Sequence, residues 1–212
     1  MLKMLKGQET KVDAFRKTYK CKSALSILDS DTVLYLMTVH VYNHDAQWLT
    51  LKRINPEVET RIDQKQKELV IAWLKGEIED YLYGDISSQG DFDNWHESLC
   101  QELTDRINND VLFGYKPIHM GKAQKIINMT FKLLSSLDDT DKFEPKFKYC
   151  HVPLDKNILT WYYSNIAKDV PKSRHKTWSN LDYVDYIKIQ EDFRNYCVNA
   201  KKIPLALEWA IF

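Results

Sequence analysis

The sequence predicts an all-α protein, and three observations favour this fold class. Apolar residues recur every three or four positions over much of the 212-residue chain, which is the spacing of a helix with one buried face. The chain has only 6 Gly and 6 Pro, whereas a β-sandwich or barrel needs a turn residue every ~8–12 positions. Hydrophobic residues make up 44% of the chain and charged residues 28%, enough for a core and a solvated surface. We therefore expect a helical bundle that forms one domain over residues 1–212.

The first part of the chain contains one clear helix and one ambiguous segment. Residues 9–28 place Val12 and Phe15 on one apolar face, which predicts an amphipathic helix that ends near Asp29. Residues 33–54 are rich in β-branched residues and tyrosine, and an Asn-His-Asp turn in their middle suits a hairpin. The same segment is apolar nearly all round, which also suits a buried helix. Periodicity alone leaves both readings open.

Helical patterns account for most of the remaining sequence. Pro56 and the acids after it suit a helix start, Asp93 suits a helix cap, and Pro204 opens a short last helix. A break at 114–117 and a basic loop at 170–179 separate the elements. The predicted helices cover residues 56–84, 95–108, 118–137, 157–166, 181–200 and the segment after Pro204.

Charge and cysteine content exclude several classes of function. Lys plus Arg number 30 and so do Asp plus Glu, so the whole chain is not a polycation. No apolar run reaches the ~18 residues of a membrane span, and the start of the chain lacks a signal-peptide core. The four cysteines lie far apart without a Cys-x-x-Cys pair, so we expect free thiols, no metal and no iron–sulfur cluster. We expect a cytoplasmic protein with no membrane partner and no cofactor.

One predicted helix carries an unusual polar stripe. Gly121, Lys125, Asn128 and Lys132 follow spacings of four, three and four residues, so they share one face, and the other faces are apolar. A helix this apolar should be mostly buried, and an unpaired buried ammonium is costly. The two lysines therefore either extend to a solvated edge or face a cleft.

A second motif lies thirty residues beyond Lys125. Asp155, at the end of Pro153-Leu154-Asp155, occupies the position of a helix N-cap, which is its simplest role. Across a cleft from a lysine, the same carboxylate has a chemical use. A desolvated lysine loses its proton more readily and becomes a nucleophile, and a carboxylate can steer it or stabilise positive charge on a sugar.

The two motifs together resemble those of the helix-hairpin-helix DNA glycosylases. The resemblance covers residues 112–212 and rests on Gly121-x-x-x-Lys125-x-x-Asn128 followed by Pro153-Leu154-Asp155. It implies that Lys125 is the nucleophile and Asp155 the catalytic aspartate. It also implies two helical lobes, about 1–110 and 111–212, flanking a cleft, and it favours a helix over residues 33–54.

Further features place the resemblance within that superfamily. The long connector and the tail, with Gln190, Pro204 and Trp209, are more similar to the archaeal 8-oxoguanine DNA glycosylases than to the endonuclease III branch. The chain also resembles uncharacterised bacterial proteins that carry the same two motifs. It departs from the family where Ile118-His119-Met120-Gly121 stands in place of the usual Gly-hydrophobic-Gly hairpin turn.

A basic segment hidden in the neutral chain is compatible with DNA. Residues 116–176 contain twelve Lys and Arg against six Asp and Glu, a net charge of +6. The densest part is the 171–176 loop, which is either a DNA contact or an ordinary solvated loop. The residues predicted to contact DNA are Gly121, Lys122, Asn128, Lys172, Arg174 and Lys176. The candidates for a pocket that holds an extruded base are the tryptophans Trp48, Trp161, Trp178 and Trp209. Trp209 is favoured by the resemblance of the tail, and Trp48 is retained beside it.

These observations lead to one expectation of function and one alternative. We expect a monomeric DNA glycosylase with AP lyase activity that binds double-stranded DNA and removes an oxidised purine through Lys125 and Asp155. The alternative is a helical module that binds DNA or a protein without chemistry, in which Lys125 and Asp155 form a structural ion pair or lie apart on the surface.

Overall fold

The structure is a computed structural model that describes residues 5–18, 51–137 and 140–211. Within these residues the chain is mostly helical, as the sequence predicts, with one small antiparallel sheet. The elements are α1 (Glu9–Thr18), β1 (Arg61–Ile62), α2 (Gln64–Tyr83), α3 (Gln89–Arg106), β2 (Leu112–Phe113), α4 (Met120–Ser136), α5 (Glu144–Phe147), α6 (Lys156–Asn165), α7 (Tyr183–Ala200) and α8 (Pro204–Ile211). Short helical turns lie at Ile107–Val111, Asp141–Phe143, Lys172–Arg174 and Trp178–Asn180.

Part of the ambiguous segment and one pocket candidate lie outside the described residues. Residues 33–50 of the ambiguous segment, which include Trp48, lie outside them. Residues 19–28 of the predicted first helix do so as well. No helix in the described ranges is long and apolar enough to cross a membrane.

The predicted helix start at Pro56 is wrong. The chain before α2 pairs instead with the segment after α3: Arg61 lies opposite Phe113, and an isolated bridge joins Arg53 to Tyr115. Helix α2 starts only at Gln64, after Asp63 accepts a hydrogen bond from the Gln66 amide. Long-range pairing therefore satisfies the backbone groups that an earlier helix start would have used.

Helix α3, in contrast to α2, starts earlier than the sequence predicted, at Gln89 instead of Trp95. Ser88 caps it by accepting a hydrogen bond from the Asp91 amide, so Asp93 lies inside the first turns rather than at the cap. Because Asp93 is not needed as a cap, its carboxylate is available to bind His151 and Arg194.

Helix α4 is the central element of the core. Fourteen of its residues are buried, and it belongs to one cluster of apolar side chains that also includes described residues of α1, α2, α3 and α8. A second cluster fills the space between α6, α7 and the segment before α6. Met120, at the start of α4, packs against both clusters, so this end of α4 lies where the two cores meet.

Candidate active site

Lys125 and Asp155 lie side by side. The distance from Lys125 Nζ to Asp155 Oδ2 is 3.7 Å, and their side chains are 16% and 29% exposed. Lys125 comes from the second turn of α4, and Asp155 is the residue before α6. The pair is therefore neither sealed in the core nor fully hydrated, which leaves both groups within reach of a ligand.

Asp155 divides its two carboxylate oxygens between two tasks. Oδ1 accepts hydrogen bonds from the amides of Asn157, at 2.8 Å, and Ile158, at 2.9 Å, and so caps α6. Oδ2 is the oxygen that lies toward Lys125. The cap that the sequence predicts thus fixes the carboxylate in the orientation that the lysine meets.

Gln124 fastens the two segments that carry this pair. Its side-chain amide donates to the Leu154 carbonyl at 2.9 Å, and its oxygen accepts from the Leu154 amide at 3.2 Å. Because Gln124 precedes Lys125 and Leu154 precedes Asp155, these two bonds set the relative position of the pair.

Burial lowers the pKa of Lys125, although the charge of Asp155 acts in the opposite direction. Burial lowers the pKa of Lys122 further, to about 8, and the charge of Lys125 adds to that effect. Both ammonium groups lie near the ring of Trp178, with Nζ 5.0 Å from the ring centroid for Lys125 and 5.8 Å for Lys122. The sequence offered Trp178 as one of four candidates for a base pocket but gave no sign that it lies beside Lys125, because it comes from a turn more than fifty residues away.

Gly121 makes room for that turn. A Cβ at Gly121 would lie 2.0 Å from the Trp178 carbonyl oxygen, so only glycine allows the Trp178–Asn180 turn to approach α4 this closely. Gly121 was predicted to contact DNA, but it is buried against this turn. Its evident task is to place Trp178 beside the lysines.

Lys132 occupies a different environment from Lys125. Its ammonium is completely buried and donates to Glu208 Oε1 of α8 at 2.7 Å, between the rings of Phe15 and Trp209. Burial raises the pKa of Glu208 and lowers that of Lys132, in each case against the attraction of the partner. The structure thus separates two lysines that look equivalent in sequence, because only Lys125 retains exposed surface.

Trp209, proposed above as a base-pocket residue, is fully buried in this structure. Its ring packs edge-on against Phe15, with centroids 5.0 Å apart, and its surface is closed by core side chains. It therefore lines the buried charge pair of Lys132 and Glu208 and not an open cleft.

Asn128 is likewise fully buried, although it was predicted to contact DNA. Its oxygen accepts from His96 Nε2 at 3.0 Å, and its amide donates to Tyr186 Oη at 2.8 Å and to Gln124 Oε1 at 3.0 Å. An Asn in this position cannot reach a phosphate. It connects the Gln124 clamp to a set of buried polar groups on α3 and α7.

That set continues to the protein surface. Tyr186 donates its hydroxyl proton to His151 Nδ1 at 2.8 Å, and His151 Nε2 donates to Asp93 Oδ1 at 2.8 Å. At the end of this series of hydrogen bonds, Arg194 forms an ion pair with Asp93 Oδ2 at 3.1 Å. We call this series, from Gln124 through Asn128, Tyr186 and His151 to Asp93, the buried polar chain. Because His151 is occupied on both nitrogens by this chain, its ring has a structural task.

The remaining predicted DNA contacts lie on the loop after α6. Lys172, Arg174 and Lys176 are all exposed, and Lys176 forms an ion pair with Asp185 at 2.5 Å. The structure therefore leaves these side chains at the surface, on the same side of α4 as Trp178, whose turn follows the loop directly.

No protein-family model, curated protein sequence or solved structure matches the chain. In the ranges that the structure describes, no three His, Cys, Asp or Glu side chains converge as they would around a metal ion.

Proposed function

We propose that the protein is a DNA glycosylase with AP lyase activity, with Lys125 as nucleophile and Asp155 as its acidic partner. The observation that carries this proposal is the 3.7 Å distance between Lys125 Nζ and Asp155 Oδ2, in a pair whose side chains are both partly exposed. It is supported by the lowered pKa of Lys125, which increases the unprotonated fraction that can attack carbon. The resemblance of the two motifs to helix-hairpin-helix glycosylases gives the substrate class, an oxidised purine in duplex DNA.

The chemistry expected of this pair begins at the sugar. The unprotonated Lys125 amine attacks C1′ of the deoxyribose, the bond from C1′ to the base breaks, and the base leaves with the electron pair. The amine gives up a proton, which Asp155 accepts and the departing base finally takes. The C1′–O4′ bond then breaks, O4′ takes a proton from water, and a protonated Schiff base forms between Nζ and C1′. Water accepts a proton from C2′, a double bond forms between C2′ and C3′, and the 3′ phosphate leaves with the electron pair of its bond to C3′.

The competing proposal is a structural ion pair in a non-catalytic module. It predicts the same distance and is compatible with the partial exposure of both side chains, so the geometry of the pair does not separate the two proposals. A partly exposed pair of this kind contributes only about 0–1 kcal/mol to stability. Its removal would therefore cost little stability under either reading, whereas chemistry would be lost only if the pair is catalytic.

Borohydride trapping separates the two proposals. The substrate is duplex DNA with one 8-oxoguanine, and a second duplex carries one abasic site. Reduction of the Schiff base turns the C=N bond into a secondary amine, which joins protein and DNA covalently. We expect an adduct with the wild type, none with Lys125→Gln, and an adduct with Lys122→Gln, which loses the same charge beside the same Trp178 ring.

The outcome that would overturn the proposal is equally direct. If folded wild-type protein forms no adduct with either duplex, the lyase chemistry is excluded. If no free base is released either, a non-catalytic module is the remaining function. If the adduct survives in Lys125→Gln and disappears in Lys122→Gln, the nucleophile has been misassigned.

A further inference from the structure

A basic cleft lies beside the candidate active site. It has a volume of about 630 Å³ and opens between α6 and the loop of residues 168–178. Four lysines line it, and none of its lining residues is acidic; the lysines are Lys156, Lys168, Lys172 and Lys176. Two of them, Lys156 and Lys168, were not among the residues predicted from sequence to contact DNA.

The loop that forms one wall is held in a fixed shape. The His175 ring stacks on the Tyr163 ring of α6, with centroids 3.7 Å apart and planes inclined by 5°. Tyr163 Oη accepts a hydrogen bond from the Lys176 amide at 2.9 Å, and His175 Nε2 donates to the Val170 carbonyl at 3.0 Å. The cleft is therefore preformed, and a ligand need not supply the free energy to order this loop.

Trp178 lies between the cleft and the Lys125–Asp155 site. It lines the cleft, and its ring lies 5.0 Å from Lys125 Nζ. A polymer that presents one unit to Lys125 can thus lay a neighbouring unit in the cleft. A second cleft nearby, about 730 Å³, differs in charge because Glu97, Glu102, Asp105 and Asp182 line it. Phosphate groups are attracted to the first cleft and repelled by the second.

We infer that the basic cleft binds the sugar–phosphate backbone of the nucleic-acid strand that enters the Lys125–Asp155 site. Lys156, Lys168 and Lys172 supply the phosphate contacts, whereas Lys176 contributes less because Asp185 partly neutralises it. The inference rests on the proposed function for the identity of the strand as DNA. The phosphate chemistry of the cleft does not require Lys125 to be catalytic.

Salt-dependent DNA binding tests this assignment. The probe is a fluorescein-labelled 20-base-pair duplex with an abasic-site analogue that cannot react, and anisotropy is measured from 50 to 200 mM NaCl. We compare the wild type with the triple variant Lys156→Gln, Lys168→Gln, Lys172→Gln. The matched control is Lys6→Gln, Lys65→Gln, Lys202→Gln, which removes three exposed charges outside the cleft.

Each neutralised phosphate contributes about 0.9 to the slope of log K against log salt. The cleft variant should therefore lose about 2–3 units of slope and bind 10-fold to 100-fold more weakly at 100 mM NaCl, on the order expected from counterion release. The control should stay within about threefold of the wild type, because distant exposed charges are largely screened.

The results also separate this inference from the proposed function. If the cleft variant and the control behave alike, or if the wild type does not bind the duplex, the inference is wrong even when borohydride trapping succeeds. If the cleft variant loses binding while the wild type forms no adduct, the cleft assignment stands and the glycosylase proposal falls. Displacement of DNA by pyrophosphate at constant ionic strength would show a site for a small anion, which would also overturn a strand site.

Discussion

The carboxylate of Asp155 caps helix α6 with one oxygen and lies 3.7 Å from the ammonium of Lys125 with the other. The same side chain therefore serves the fold and the candidate chemistry, and the two tasks use different atoms. This division allows a substitution that removes one task and keeps the other.

Asp155→Asn should preserve the fold and impair the reaction. Asparagine is as good an N-cap as aspartate, so the free energy of unfolding should change by less than about 0.5 kcal/mol. It carries no charge and accepts no proton, so base release under single-turnover conditions should slow by about 10²–10⁴-fold, the usual contribution of acid–base groups. Asp155→Ala is the matched variant, since it should also lose about 1 kcal/mol of stability. A wild-type rate in Asp155→Asn would remove Asp155 from the chemistry.

The sequence predicted the elements whose pattern is local. The periodic apolar residues of α4 and α7 and the cap at Asp155 needed only neighbours along the chain, and the structure confirms them. The helix start at Pro56 failed because Arg61 and Ile62 pair with residues fifty positions later. Local propensity cannot anticipate such pairing.

The candidate site shows the same limit. The resemblance identified Lys125 and Asp155. The spacing of the helix alone did not distinguish Lys125 from Lys132, because their difference depends on Glu208, which lies 76 residues from Lys132. The role of Gln124 depends on Leu154, and that of Gly121 on the Trp178 carbonyl. In each case the partner comes from another element, so the spacing of residues within α4 cannot predict the contact.

Gly121→Ala should destabilise the protein and disturb the site. Its Cβ would lie 2.0 Å from the Trp178 carbonyl oxygen, so the turn that carries Trp178 must move away from α4. We expect a loss of about 1–3 kcal/mol, as for other overpacked positions, measured by urea unfolding. The control is Gly76→Ala inside α2, where nothing lies within 4 Å of the added Cβ and the helix should gain about 1 kcal/mol. Equal effects of the two substitutions would mean that the approach of Trp178 to Gly121 is not tight.

Glu208→Ala should be far more costly than the loss of a surface ion pair. It breaks an ion pair whose two side chains are both buried, and breaking a buried ion pair typically costs about 3–5 kcal/mol. Glu102→Ala is the matched control, because Glu102 pairs with Arg106 on the exposed face of α3 and should change stability by about 0–1 kcal/mol. Urea denaturation at pH 7 measures both. Similar losses would show that water reaches Lys132.

Two buried histidines should make the fold sensitive to acid. Burial lowers the pKa of His96 well below its usual value and lowers that of His151 as well, although Asp93 opposes the effect at His151. Burial therefore favours the neutral form of both rings in the folded protein, most strongly at His96, while the unfolded chain takes up protons below about pH 6.5. The stability they contribute is present above that pH and is lost as the pH falls toward their lowered pKa values. A histidine that is neutral in the fold and protonated in the unfolded chain adds a slope of at most about 1.4 kcal/mol per pH unit.

The expected measurement is the free energy of unfolding from pH 7.5 to pH 5. The free energy of unfolding of the wild type should fall as the pH is lowered, and His96→Gln should reduce that slope by up to about 1.4 kcal/mol per pH unit. Glutamine still offers a donor to Asn128, so the loss of slope reports the missing proton and not a broken network. His119→Gln is the control for the substitution itself, because it changes an exposed histidine outside the buried polar chain. If His96→Gln keeps the full slope, the ring of His96 is already protonated in the fold, and its hydrogen bond to Asn128 would then be charged.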